Sequence, residues 1–456
     1  MMKLLMSKIS LSRSLSSSSL SDIQSVCSRC INPRSPDHLQ QDSKTFVQIY
    51  STSKKSEKNE MIKLLANNCG VNHDNLKAAI SKYEKNSNAA YDVYLASDPR
   101  YSKIFQSIGN LEMGVKFVTD FRSDVLEYMR SGETTKEKLM PLRRLESTLK
   151  DLLTLWFCLS NLKLMRLTWQ TSADILQKVA KEEAVHPIQG LIDMQQRLGA
   201  CRRCFVFFHE AMPREPLVIV YVALTKKISD NVVEIMKDGN LTEDNEKLAN
   251  TAIYYSITST QPGLRGIDLG NLLIKQVAAE LMAENPNIIH HSTLSPIPGF
   301  RTWLLRSLQG ASEFGEVLDS HVLDYLRSFD NLENSTHEEL KSQLVNLIKT
   351  NSLEKYAPLK NLFLYFAAVY LLKAKNSSGY ALNPVANFHL RNGAEMYKLN
   401  WAGNNTRRGI EQSLGIMVNY RYVMDNVTKN NENYVNNQLI AISDEFSKNF
   451  MPKAKL

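Results

Sequence analysis

The feature that most constrains this fold is a change in hydrophobic periodicity near Trp156. Before it, apolar residues recur every three or four positions, as in Leu142, Leu145, Leu149, Leu152 and Trp156. This is the spacing of one helix face. After it, β-branched and aromatic runs at 204–208 and 217–224 are typical of buried strands. The pattern predicts an α+β protein, with an all-α N-terminal domain followed by an α/β domain.

The first domain is predicted to be an antiparallel helical bundle over residues 37–156. A second apolar stripe lies just upstream of the first, at Val118, Phe121, Val125 and Met129. Between the stripes, Thr134 and Glu137 have the spacing of a capping box, so a helix is expected to begin there. Residues 37–60 are polar and predict a partly flexible approach to the bundle. Nothing in this domain indicates chemistry, so its expected role is architectural.

The second domain, 157–456, has a mixed order of elements. A hairpin at 204–224 is followed by a strand at 251–258, a glycine-rich loop, a helix at 269–282 and a strand at 288–294. This is the order expected of a GNAT acetyltransferase-type core, although sequence order alone leaves other α+β folds open. An apolar run at 362–372, flanked by lysines, is expected to be a buried helix rather than a membrane span.

Composition excludes several classes of function. The 456 residues favour two domains, and 43% hydrophobic with 22% charged residues describes a globular protein. A net charge of +8 is weak evidence for nucleic-acid binding, so no nucleic-acid partner is expected. The six cysteines are expected to be ordinary reduced thiols, and His290 and His291 point to opposite strand faces, so no metal site is predicted.

Both ends of the chain resemble targeting signals. The first 21 residues contain no acid and are rich in serine, which predicts a targeting peptide over 1–36. A mitochondrial leader is favoured, while a plastid leader or a disordered serine-rich tail stays open. The chain ends Ala454-Lys455-Leu456, a close variant of the Ser-Lys-Leu peroxisomal signal at 454–456. We expect the mitochondrial matrix and the peroxisome, with the cytoplasm left open, and organelle import receptors as partners.

A glycine-rich loop between the predicted strand and helix is a candidate pyrophosphate cradle. Glycines let the backbone approach a ligand closely, and the helix that follows adds its positive end. Asp268 stands where the acetyltransferase loop has its first glycine, so this loop is a relative of that pattern and not a standard copy. The predicted binding residues are Arg265, Gly266, Ile267, Asp268, Leu269, Gly270 and Asn271.

Two segments place a polar side chain with acid–base capacity in rigid, apolar surroundings. Ser295 precedes Pro296 and Pro298, which restrict the backbone to a stiff strand exit. His389 lies between a proline and a glycine in a similar apolar segment. A serine and a histidine presented in this way can share a pocket and move a proton.

The stretches that contain these two residues, Ser292–Phe300 and Ala381–Ala394, closely resemble the malonyl-CoA decarboxylase family. The resemblance spans roughly the last two thirds of the chain and includes His186-Pro187, 204–225, 261–271 and 419–422. It implies conversion of malonyl-CoA to acetyl-CoA and CO2, with control of fatty-acid metabolism. It also implies a GNAT-like catalytic domain and a homotetramer assembled through the helical domain.

The resemblance also implies roles for individual residues. The residue matching His389 is the family's proton donor, and the one matching Ser295 is its partner and proton acceptor. Ser256 and Tyr422 match further active-site positions, where hydrogen bonding to the substrate or its enolate is expected. From the residues alone, a backbone-bonded strand serine and a packed tyrosine stay open for these two. Because the thioester absorbs the released electrons, no separate cofactor is expected, and coenzyme A is part of the substrate.

Two other functions remain open from the residues. One is a GNAT-type CoA-dependent N-acyltransferase, and the other is a CoA-binding regulator without turnover. The segments around Ser295 and His389 are not part of the usual acetyltransferase pattern, which favours the lyase. Turnover of malonyl-CoA without an acceptor distinguishes the lyase from both.

Overall fold

Amphipathic helices build the first part of the chain, as its apolar spacing requires. The computed structural model describes residues 20–132, 136–237, 241–267, 273–310, 317–328 and 332–450. The N-terminal helices are α1 (Leu20–Ile31), α2 (Pro36–Thr52), α3 (Lys55–Asn68), α4 (His73–Lys85), α5 (Ala90–Ser97), α6 (Tyr101–Gly109), α7 (Gly114–Arg130) and α8 (Lys136–Trp156). Residues 20–36 of the predicted leader include α1, while residues 1–19 and the signal at 454–456 lie outside the described residues.

The two predicted apolar stripes lie on α7 and α8, which pack against each other. On α7 the expected residues Val118, Phe121 and Val125 are buried, together with Val115 and with Tyr128 in place of Met129. On α8 the buried stripe runs Leu142, Leu145, Leu149 and Leu153. The predicted Leu152 and Trp156 are half-buried, while the fully buried positions continue at Leu153 and Phe157, because the helical period of 3.6 turns the face slightly. Thr134 of the predicted capping box lies outside the described residues.

The expectation of a partly flexible segment at 37–60 was also wrong. α2 and the first six residues of α3 occupy it, and Phe46 and Tyr50 are buried. The Tyr50 ring lies 4.8 Å from that of Phe121 and 5.6 Å from that of Phe117, centroid to centroid. A few large aromatic side chains therefore anchor helices that are otherwise polar on their outer faces.

Eight strands of the described residues form one mixed sheet. They are β1 (Leu162–Leu167), β2 (Arg202–His209), β3 (Val218–Thr225), β4 (Thr251–Ser259), β5 (His290–Thr293), β6 (Ser295–Pro296), β7 (Glu395–Asn400) and β8 (Met417–Tyr422). Their order is β1-β2-β3-β4-β5-β8-β6, and β7 also pairs with β8. The predicted hairpin, the strand at 251–258 and the strand within 288–294 are confirmed as β2–β3, β4 and β5.

The remaining helices connect or flank the strands. They are α9 (Ala173–Glu182), α10 (Leu191–Arg197), α11 (Val232–Lys237), α12 (Glu243–Lys247), α13 (Leu273–Glu284), α14 (Phe300–Leu308), α15 (Ser320–Arg327), α16 (His337–Lys349), α17 (Leu353–Tyr356), α18 (Lys360–Lys373), α19 (Pro384–Arg391), α20 (Arg407–Ser413), α21 (Val427–Asn437) and α22 (Asp444–Phe450). The apolar run at 362–372 forms α18 and is largely buried, as predicted. None of the described helices is both long and apolar enough to span a membrane.

The chain divides into two compact units, and the helices and the sheet fall mostly into different ones. One unit comprises the chain up to residue 163 with 208–217 and 259–269, and the other comprises 164–207, 218–258 and 270 onward. The helical unit therefore takes two later segments in addition to α1–α8. The sheet unit contains β2 to β8 almost entirely, and the candidate site lies in it.

Candidate active site

Strand alternation places several polar side chains on one face of the sheet. β4 and β5 are parallel with Tyr254 opposite Thr293, and β5 and β8 are antiparallel with His291 opposite Tyr422. Paired residues point to the same face, and so do residues two apart along a strand. Tyr254, His291, Thr293 and Tyr422 therefore share a face. The 3.0 Å contact between the Tyr254 hydroxyl and His291 Nδ1 is consistent with this.

The proline-marked segment leaves the strand as its sequence predicts. Ser295 and Pro296 form β6, which pairs with Val418 and Met417 of β8. The chain then turns at Gly299, which has a φ of +82°, and enters α14. Because proline restricts the backbone and cannot donate a hydrogen bond, the strand stops at once and Ser295 stays at its end.

A buried asparagine joins the second segment to the first. Asn383 caps α19 by accepting a hydrogen bond from the Ala386 amide at 2.8 Å, and its Nδ2 donates to the Pro298 carbonyl at 2.9 Å. The histidine lies on the last turn of α19. Asn383 therefore couples the strand exit to the helix that carries His389.

His389 links two hydroxyl groups. Its Nε2 lies 3.2 Å from Ser295 Oγ, and its Nδ1 lies 2.8 Å from the Tyr422 hydroxyl. Ser295 in turn donates to Thr293 Oγ1 at 2.8 Å. The Tyr420 ring stacks on the imidazole with centroids 4.6 Å apart. The structure thus brings together three of the four residues named as catalytic from the sequence: Ser295, His389 and Tyr422.

The network is dry and without net charge. Burial lowers the pKa of His389 to about 3, because the imidazolium would lose its hydration. Burial also raises the pKa of Tyr422 well above its usual value, and Tyr254 and Tyr420 raise it further. Imidazole and phenol are therefore both neutral near pH 7. Such a group can hold or transfer a proton without a stable buried charge.

Ser256 does not join this network. Its hydroxyl donates to both carboxylate oxygens of Glu183, at 2.8 and 2.9 Å. Glu183 follows α9 directly, is buried, and was not singled out from the sequence. It adjoins the His186-Pro187 pair, but only the fold shows which serine it binds. The alternative of a backbone-bonded strand serine is therefore wrong for Ser256, because its partner is a carboxylate.

Part of the predicted pyrophosphate loop is described. Arg265 and Gly266 are exposed, Ile267 is buried, and Asp268–Asn271 lie outside the described residues. The buried guanidinium of Arg122 donates to the carbonyls of Gly263 and Arg265 at 2.5 and 3.0 Å. A side chain at residue 263 would lie 1.8 Å from the Thr119 carbonyl, so glycine is required there. Within this unit, α7 therefore anchors the start of the loop.

The other histidines and the cysteines form no ligand cluster. His290 is exposed and His291 is buried, so the prediction that they point to opposite faces is confirmed. All six cysteines are free thiols. Across the described ranges, no group of three histidine, cysteine or acidic side chains is placed to hold a metal ion.

The mixed α+β fold therefore holds a buried, neutral hydroxyl–imidazole–hydroxyl chain, an arrangement that can transfer a proton. The family models for the malonyl-CoA decarboxylase N-terminal and C-terminal domains match residues 69–157 and 160–455. Proteins named mitochondrial malonyl-CoA decarboxylase are 37% identical in Anser anser anser and in Mus musculus. The alignments cover 93% and 88% of this chain and 86% and 83% of theirs.

Solved structures agree with the sequence matches. The malonyl-CoA decarboxylase from Rhodopseudomonas palustris superposes with a TM-score of 0.81 at 29% identity, covering 94% of this chain and 99% of that one. The enzyme from Agrobacterium vitis gives 0.79 at 28% identity, covering 94% and 100%. The chain belongs to the malonyl-CoA decarboxylase family, a family of carboxy-lyases.

Proposed function

We propose that this chain converts malonyl-CoA to acetyl-CoA and CO2, with His389 as the proton donor and Ser295 as its partner. The observation that carries the proposal is the buried imidazole of His389, held between the hydroxyl groups of Ser295 and Tyr422. Decarboxylation needs one proton at a carbon atom and a sink for two electrons. The site supplies the first, and the substrate's thioester supplies the second.

The hydrogen bonds support one direction for the proposed proton chain. Since the hydroxyl hydrogen of Ser295 is donated to Thr293, the 3.2 Å contact to His389 Nε2 requires a hydrogen on that nitrogen. Nδ1 then lacks a hydrogen and accepts from the Tyr422 hydroxyl at 2.8 Å. Tyr422 thereby fixes the tautomer that presents Nε2–H, and Ser295 completes the alignment.

The reaction follows from this arrangement. The bond between the α-carbon and the carboxylate breaks, CO2 leaves, and the electron pair delocalises into the thioester carbonyl as an enolate. His389 Nε2–H then protonates the α-carbon, and the Tyr422 proton moves to Nδ1. The overall reaction consumes one proton, which solvent supplies to Tyr422 as the carbanion is protonated, so that no stable phenolate remains in the buried site. A buried cation beside the carboxylate would oppose the loss of neutral CO2, so a neutral site suits this step.

The sheet supports a GNAT-like assignment of the catalytic domain. β4 pairs with β5 only from Thr251 to Tyr254, and β4 then continues to Ser259 while β6 pairs with β8. The two neighbouring strands therefore diverge, which leaves one edge of β4 free to receive an extended ligand. We assign coenzyme A to this fold as part of the substrate, with no separate cofactor and no metal.

The loop 265–271 is proposed to bind the pyrophosphate of coenzyme A. The Arg122 guanidinium donates hydrogen bonds to the carbonyl oxygens of Gly263 and Arg265. These bonds hold the peptide planes at the start of the loop in one orientation. Gly266 has a φ of +75°, a left-handed conformation that glycine adopts without strain. Backbone amides held in one orientation suit a phosphate group.

Localisation and assembly rest on similar reasoning. The acid-free N-terminus and the relatives named mitochondrial favour the mitochondrial matrix, and the final tripeptide favours the peroxisome, each reached through its import receptor.

A homotetramer is the proposed assembly. Tyr91 and Tyr94 on α5 stack on each other and are largely exposed, which suits a surface for self-association. Sedimentation of the purified chain tests this.

The proposed reaction is tested with purified protein and malonyl-CoA alone, following acetyl-CoA and CO2. We expect turnover without any amine acceptor. We also expect Ser295→Ala to lower kcat by about a hundredfold, because the imidazole loses its aligned partner. Ser443→Ala is the matched control, since Ser443 is a buried serine bonded to the Tyr397 carbonyl. Absence of acetyl-CoA with the wild-type protein would refute the proposal.

A further inference from the structure

The hydroxyl of Ser256 has its only hydrogen committed. Ser256 is 2% exposed, and its Oγ donates to the Glu183 carboxylate at 2.8 and 2.9 Å. A hydroxyl carries one hydrogen and two lone pairs. Ser256 is therefore presented to any further partner as a hydrogen-bond acceptor, and it cannot donate to a developing oxyanion without leaving Glu183.

Glu183 is itself held in place. Its Oε1 accepts from the backbone amides of Val185 and His186, each at 2.8 Å. Arg408 donates to the carbonyl of Ala184 at 3.1 Å and that of Val185 at 3.4 Å, so the turn after α9 is fixed from both sides. The carboxylate has no freedom to release Ser256, because moving it would leave buried amides unpaired.

The strand register puts Ser256 beside the reaction site. Tyr254 lies opposite Thr293 in the β4–β5 pair, and Ser256 and Ser295 each lie two residues further along. Both serines therefore point to the same face of the sheet as Tyr254 and Thr293. The β4–β5 pairing ends one level earlier, at Tyr254 and Thr293, while Ser295 pairs with Val418 of β8, so an unpaired stretch, called the gap below, separates the strands of the two serines.

We infer that Glu183 is a positioning residue, which holds Ser256 as an acceptor for the amide N–H nearest the sulfur of malonyl-CoA. The inference rests on the proposed function. Around the reacting carbon, the ionised carboxylate and the thioester offer only acceptors. The first hydrogen-bond donor along the coenzyme A arm is the amide N–H nearest the sulfur. It is therefore the group that Ser256, which can only accept, would recognise in this gap.

The test compares two substrates across variants. The first is malonyl-CoA, and the second is an analogue in which an ester oxygen replaces that amide N–H. The wild-type protein is expected to prefer malonyl-CoA by about tenfold in kcat/KM, mostly through KM, for one neutral hydrogen bond. Ser256→Ala should abolish the preference. Ser443→Ala, the buried-serine control, should retain it.

The Glu183→Gln variant tests the positioning role of Glu183 more directly than Ser256→Ala. The glutamine oxygen can still accept from the backbone amides, but its NH2 group donates to Ser256 and turns the serine hydrogen outward. The preference for the amide should then disappear or reverse, with a melting temperature close to that of the wild type. A purely structural role for Glu183 would lower kcat/KM for both substrates equally.

The outcomes separate the two claims. An unchanged tenfold preference in Ser256→Ala or Glu183→Gln, in folded protein that still turns over malonyl-CoA, overturns this inference alone. Wild-type protein that leaves malonyl-CoA intact overturns the proposed function as well. Loss of the preference in both variants, with the control unaffected, supports the assignment.

Discussion

Two buried polar networks in this chain follow opposite electrostatic rules. In the helical unit, Arg122 is 2% exposed and forms an ion pair with Glu146 while donating to two loop carbonyls. In the sheet unit, His389 is 3% exposed, its ring nitrogens contact the hydroxyl groups of Ser295 and Tyr422, and the Tyr420 ring stacks on it. A permanent charge suits an anchor whose partners never change. Proton transfer needs groups whose neutral forms are stable, and burial enforces that for imidazole and phenol.

The largest expected effect comes from removing the proposed proton donor. His389→Asn should lower kcat by about a thousandfold, because a general acid contributes a factor of roughly a hundred to ten thousand. Binding of coenzyme A, measured by calorimetry, should change little, since asparagine keeps a polar side chain of similar size. Turnover equal to that of the wild type would remove His389 from the mechanism.

Breaking the charged network should act on stability instead. Arg122→Ala is expected to destabilise the helical unit by about 3 kcal/mol, because it leaves Glu146 and two carbonyls without their donor. Chemical denaturation measures this. The control is Lys116→Ala on the same helix, which breaks an exposed pair with Asp120 and should cost about 0.5 kcal/mol or less. Equal effects of the two variants would contradict the contrast between buried and exposed charges.

A smaller effect on activity is expected from the phenol. Tyr422→Phe should lower kcat by about tenfold to a hundredfold, because His389 Nδ1 loses its donor and the tautomer is no longer fixed.

Tyr420→Phe is its matched control. The Tyr420 hydroxyl is buried and has no hydrogen-bond partner among the described residues, while its ring stacks on the imidazole. Its removal should leave kcat within about twofold. If Tyr420→Phe proves as harmful as Tyr422→Phe, the proton chain does not run through Tyr422.

The smallest effect concerns pH. The folded pKa of His389, about 3, lies below its unfolded value, so the unfolded chain binds more protons between about pH 3 and 6.5. Stability from this residue is fully present above pH 6.5 and falls as the pH falls. At pH 5.5 the loss is about 1.4 kcal/mol relative to pH 8.

His186 and His291 have pKa values lowered by burial to about 4 and act in the same direction. The free energy of unfolding should therefore fall less between pH 8 and 5.5 in His389→Asn than in the wild type, by about 1.4 kcal/mol. Chemical denaturation at both pH values measures this difference. Identical pH dependence in the two proteins would mean that His389 is not buried as a neutral group.

Much of the fold followed from local pattern. The hairpin β2–β3, strand β4 and helix α18 were predictable because each is a continuous apolar run whose length suits its element: eight or nine residues for the strands and fourteen for the helix. The helices at 36–68 were not, because their surfaces are polar and only a few aromatic residues, such as Phe46 and Tyr50, bury them in the bundle. Packing over long sequence separations supplies that information, and no short window contains it.

The candidate site shows the same division. Proline placement marked the segments of Ser295 and His389, and resemblance added Tyr422 and Ser256. The sequence did not indicate that Ser256 binds Glu183, or that Arg122 anchors the loop at Gly263, since these pairs are 73 and 141 residues apart. The GNAT-like assignment and the roles of the four residues stay predictions.

The sequence by itself determined the two classes of structure, the rigid exits around the polar residues and the family. Those properties depend on local backbone restriction and on side-chain period, which a linear chain records directly. Tertiary structure alone decided which hydroxyl faces which nitrogen, and that the imidazole is dry enough to stay neutral. Hydrogen-bond direction and desolvation depend on where distant segments meet, and only the folded chain fixes that.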